Sequence, residues 1–164
     1  MSNVLVELLH GKHAHADSLA CVAVSADVAG KTPPGFSHSV RQLVWHMNYW
    51  MDYELKRIAG RPDPYPVHAD LSWPSAEAFP AEVWQQEASR FGQLLEELAG
   101  HAKSTPEELA RPIAAGHVSE AEHASSLEAV LWQTLVHNSY HLGQVVQLRQ
   151  AIGAWPPSTG SDTW

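Results

Sequence analysis

His137 and His141 stand four residues apart on the strongest predicted helix of the chain. In a helix that spacing sets two imidazoles about 40° apart, one turn above the other. Two rings so placed can share one metal ion. Spacing alone is weak: with eleven histidines among 164 residues, chance supplies about 0.7 such pairs. The face they occupy says more. Val130, Thr134, Gln144, Val145 and Leu148 lie within about 80° of them on the helical wheel, so this face turns inward. An inward imidazole is costly unless it is paired or ligating. The glutamate that follows the first histidine of a metalloprotease helix is replaced by Asn138, which excludes that chemistry.

His46 supplies a third nitrogen. It falls on the apolar face of another helix, one turn from Leu43, Trp50 and Tyr53. The competing reading is a core histidine satisfied by a backbone carbonyl. Three neutral imidazoles leave a coordination position open, as catalytic zinc sites do to activate water or substrate. Nickel, iron and manganese accept the same nitrogens, so the metal is a divalent ion of undetermined identity. Tyr53, Asn138, Tyr140 and Gln144 are the candidate helpers, Gln144 sharing the inward face most clearly. His10, His13 and His15 read as a solvated helix face, with His13 and Asp17 as an i,i+4 pair. His38, His68, His101, His117 and His123 lie in or beside loops and read as surface residues.

Four helical segments must position these residues. The first runs from about Ser2 to Ala29, with Leu5, Leu8, Leu9, Ala16, Leu19 and Ala23 at three- and four-residue steps, ending at Gly30 and Pro33-Pro34. The second starts near Ser39, which with Gln42 fits a capping box, and stops at Gly60 and Pro62. A long proline-rich loop follows. Pro80 suits the first turn of the third helix, which closes at Gly100. The connection from His101 to Ser125 has room for one helical turn around Pro106 to Ala110. The fourth helix starts at Ser125 or Ser126, with Glu128 completing another capping box, and runs to Ala151 or Ile152 before Gly153. No run alternates as a strand does. The fold class is all-α, a four-helix bundle forming one domain over residues 1–164.

Composition narrows the partners. The formal net charge is -8, with ten Lys and Arg and no basic cluster. Direct nucleic-acid binding and an anionic membrane surface are therefore disfavoured. No apolar run approaches the ~20 residues that span a bilayer, and no basic leader precedes an apolar stretch, so the expected location is cytoplasmic. The lone Cys21, among Ala20, Val22 and Ala23, reads as a small buried residue.

The segments Ser39 to Trp50 and Trp132 to Arg149, with the endings Gly153 to Pro157 and Gly160 to Trp164, resemble signatures of the DinB/YfiT-like family, and the likeness spans the chain. The resemblance implies a crossover between helices two and three, a metal triad that maps onto His46, His137 and His141, and a homodimer. Relatives include thiol S-transferases using bacillithiol or mycothiol, a mycothiol-dependent maleylpyruvate isomerase and metal-dependent hydrolases. The functional expectation is thus a metal-dependent thiol S-transferase or small-molecule hydrolase in which the metal activates a thiol or water, with a low-molecular-weight thiol as the expected small-molecule partner. Two other readings stand beside it: a non-catalytic metal-binding or dimerisation module of a stress-response protein, and a metal-free bundle whose inward histidines satisfy core hydrogen bonds.

Overall fold

The computed structural model describes residues 3–74, 80–113 and 125–157. Its short N-terminal helices are α1 (Val4–Leu9), α2 (Ser18–Val22) and α3 (Ala26–Ala29). The long α4 (Val40–Ile58) and α5 (Trp84–His101) follow, then the single turn α6 (Pro106–Leu109) and the long α7 (Leu127–Ala151). The protein is mostly helical, as expected. Its strands are β1 (Pro112–Ile113) and β2 (Ser125–Ser126), which pair antiparallel and close the connection ahead of α7. Two-residue strands are too short to leave an alternating pattern in the sequence.

The capping box at the start of α4 forms as expected: the Gln42 backbone N–H donates to Ser39 Oγ, and the Ser39 N–H donates to Gln42 Oε1. That pairing satisfies two of the orphan donors at a helix start. The second predicted box does not form. Ser126 is the N-cap of α7 and accepts from Ala129, so the third helical position belongs to Ala129 and not to Glu128. Pro80 caps a 3-10 turn, Ala81–Val83, which leads into α5. The turn expected near Pro106 is α6, capped by Thr105.

The N-terminal segment departs most from expectation. In place of one helix to Ala29 there are three, because side chains offer the backbone other partners. Asp17 accepts from the Ala20 N–H and Ser25 from the Val28 N–H, so each starts a new helix. Between α1 and α2, Gly11 (φ +85°) and His13 (φ +64°) take left-handed conformations, and a Cβ on Gly11 would collide with the Ala16 carbonyl. Asp17 is thereby spent on a cap, and His13 lies 3.8 Å from Glu7 instead. The predicted His13–Asp17 pair is absent from the described contacts.

α4 packs along both α5 and α7, and the N-terminal helices cover the remaining sides: α1 touches α5 and α7, α2 touches α7, and α3 touches α4 and α5. Leu43, Met47, Met51, Phe91, Leu95, Leu98, Leu127 and Leu131 fill the interior. Burying each such side chain contributes about 1.5–3 kcal/mol. Polar bonds lock the segments in place. The Trp84 indole donates to the Val24 carbonyl. Buried Arg149 donates to the carbonyls of Ala20, Cys21 and Ala154. Cys21 is buried, as expected, and burial pushes its thiol up to about 11, so it stays protonated. Among the described residues, no helix is long and apolar enough to cross a membrane.

Candidate metal centre

α4 presents His46 and α7 presents His137 and His141 to one another across their contact. One ring nitrogen from each lies within 4.8 Å of the other two. His46 and His141 are buried, and His137 is half-buried. The Nε2 atoms of His46 and His137 are 3.3 Å apart.

The outer partners fix which nitrogen faces inward. His46 Nδ1 sits 2.9 Å from the Ser72 carbonyl, which can only accept, so Nδ1 carries the proton and Nε2 the lone pair. His141 Nδ1–H donates in the same way to Gln144 Oε1 at 2.7 Å. Both readings of His46 are thus realised, since a backbone carbonyl holds one edge of the ring while the other edge joins the cluster. Such partners orient metal-binding imidazoles and raise their basicity.

The cluster fits a metal on these observations. Two imidazole nitrogens facing each other at 3.3 Å must share a proton or a cation, because two lone pairs there repel. Two nitrogens bound tetrahedrally at 2.0–2.1 Å lie ~3.3 Å apart. The rings are also kept neutral, the form that ligates. Burial, with the neighbouring imidazoles adding, pushes His46 down to about 4. Burial and then His141 push His137 down to about 4. Burial lowers His141 as well. The three histidines could therefore hold a divalent ion. Among the described residues they are the one group of its kind, and all its donors are nitrogen.

An aromatic stack backs the cluster. Trp73 lies parallel to His46, with centroids 3.8 Å apart, and parallel to His38 at 4.0 Å. It meets His141 edge-on. A cavity of about 500 Å³ opens beside His141, and Gln144, Tyr140, Trp73 and His38 also line it.

The predicted helpers separate in this geometry. Gln144 bonds His141 and lines the cavity. Tyr140 lines it too, although its side chain is largely exposed. Tyr53 is buried against Trp50 and Tyr65, one ring removed from the cluster. Asn138 is buried in α7. Four of the histidines expected at the surface are half-buried: His10, His15, His38 and His101. His38 is half-buried in the stack, held there by Trp73. His15 is half-buried behind α7, where its Nδ1–H donates to the Ala16 carbonyl and its Nε2 accepts from Ser139 Oγ. His117 and His123 lie outside the described residues. Ser72, Trp73 and His38 went unrecognised as site residues because they come from connections. The chain's seven tryptophans were the one sequence signal pointing to Trp73.

A model of the DinB superfamily matches residues 13–145 of the chain. Comparisons with curated proteins and with solved structures return no match.

Proposed function

The chain belongs to the DinB superfamily, and from that premise we propose that it is an enzyme that uses a divalent metal held by His46, His137 and His141. Its reaction is a thiol S-transfer or the hydrolysis of a small molecule. The observation that carries this reading is the convergence of three neutral imidazoles beside a cavity that one of them, His141, lines. When bound, a divalent ion supplies the Lewis acid that makes a thiol or water nucleophilic at neutral pH. The chain's own residues prepare the place. Ser72 and Gln144 hold two rings with their lone pairs inward. Trp73 fixes the plane of His46 and excludes water from that face. The cavity admits a small organic substrate, and sites of about 300–1,000 Å³ commonly do so. A purely structural metal would favour a fourth protein ligand and no adjoining cavity, whereas the described residues offer three ligands and a cavity.

The same reading extends to the whole chain. We take it as one cytoplasmic domain, a four-helix bundle in which α1 to α3 together stand for the first helix and the connection from Ile58 to Trp84 crosses the bundle. Trp132, Val136 and Tyr140, exposed at successive turns of α7, supply an apolar stripe suited to a homodimer. Elemental analysis tests the metal site. The wild-type protein is expected to hold about one divalent ion per chain, and a His137→Ala/His141→Ala variant close to none. Equal metal in the two would remove the site.

A further inference from the structure

His38 differs from the three histidines it neighbours. The Nε2 atoms of His46 and His137 face each other, and the Nδ1 atoms of His46 and His141 bond to Ser72 and Gln144. No described hydrogen bond engages His38, and its Nδ1 is enclosed without a partner. Stacking on Trp73, with centroids 4.0 Å apart and planes 11° apart, fixes the ring without occupying a nitrogen. Trp73 also separates His38 from His46, so His38 shares the site without joining the cluster. It lines the same cavity as Tyr140, His141 and Gln144. A general base needs a free nitrogen, a fixed ring and access to the substrate. Around this cavity the other polar lining groups, apart from His141, are hydroxyls, amides and an indole, with no carboxylate, amine or guanidinium among the described residues.

We propose that His38 is the base of this site and accepts the proton of the nucleophile that enters the cavity beside His141. The inference rests on the metal-dependent reading above. In the step, the S–H or O–H bond of the nucleophile breaks and its electron pair stays on sulfur or oxygen. His38 Nδ1 is enclosed and in this step keeps the ring's own hydrogen, so the proton passes to the lone pair on Nε2. As the new bond to the electrophile forms, the electrophile's bond to its leaving group breaks with the pair going to the leaving group, and the imidazolium returns the proton to that group or to solvent.

The test uses the zinc-loaded full chain, with 2-mercaptoethanol as thiol and 1-chloro-2,4-dinitrobenzene as chromogenic electrophile. His38→Phe keeps a ring to stack on Trp73 but has no nitrogen, and His38→Ala leaves room for added imidazole. Both variants are expected to bind zinc within about 3-fold of wild type in competition with a chromophoric chelator. Both should lose roughly 100-fold in kcat with little change in KM. Imidazole should restore much of the rate to His38→Ala and none to His38→Phe. In the wild type, the His38 ring ¹⁵N resonances should move when 2-mercaptoethanol is added. A His38→Phe rate near wild type would show that stacking alone matters and overturn the proposal while leaving the metal reading intact. If wild type binds zinc but does not turn over this pair, unmoved His38 resonances overturn it and moved ones support it. Failure of wild type to bind zinc overturns both.

Discussion

The three imidazoles announced themselves because each lies on the inward face of a helix, where sequence period reports burial. Their outer partners did not. Gln144 is three residues from His141 and shares its face, so it was within reach; the Ser72 carbonyl and the Trp73 ring come from a connection whose path no local pattern encodes. His38 was misread for the same reason, since its burial depends on Trp73. Gln144→Leu removes the acceptor for His141 Nδ1–H and is expected to weaken zinc binding by roughly 10–100-fold; a competition titration with unchanged affinity would contradict this. The lowered histidines also predict a pH dependence. His46 and His137 stand at about 4 in the folded chain, against 6.5 ordinarily. Between those values the unfolded chain binds protons that the folded one refuses. Stability of the metal-free protein is therefore full above about 6.5 and falls as pH drops towards 4. Urea midpoints at several pH values check the slope, and a level midpoint across that window would be inconsistent with it.

Among the elements, the long helices were legible and the N-terminal one was not. α4 carries apolar periodicity, α7 is uninterrupted by proline from Leu127 to Ala151, and each starts at a serine cap. The segment before Gly30 carries the same periodicity, yet Asp17, Ser25 and Gly11 break it into three pieces. Periodicity records which side is buried but not whether the backbone turns between two buried stretches. What fastens the broken segment is Arg149, whose guanidinium meets three carbonyls and lies 4.8 Å from the Trp155 ring centroid. Hydrogen bonds to a charged group are worth about 1.5–3 kcal/mol. Arg149→Ala should therefore cost about 3 kcal/mol and lower Tm by roughly 6–12 °C for a chain of this size. Arg149→Lys should recover little, because an ammonium lacks the planar fork that reaches several acceptors. Thermal melts of both variants decide it.

The assembled chain joins its site across the contact of α4 with α7, so folding and metal binding reinforce each other. Zinc at about 100 times its Kd should stabilise the wild type by about 2.7 kcal/mol and raise Tm by roughly 5–10 °C. The same addition should leave the His137→Ala/His141→Ala variant unmoved, and an equal rise in both would place the stabilising ion elsewhere. His46 and His137 lie 91 positions apart along the chain. An ion gripped by both works as a removable staple, closing a loop that includes α5 and the long connections on either side of it. Starving the protein of metal would open that staple, so its resistance to proteases would rise and fall with the metal supply.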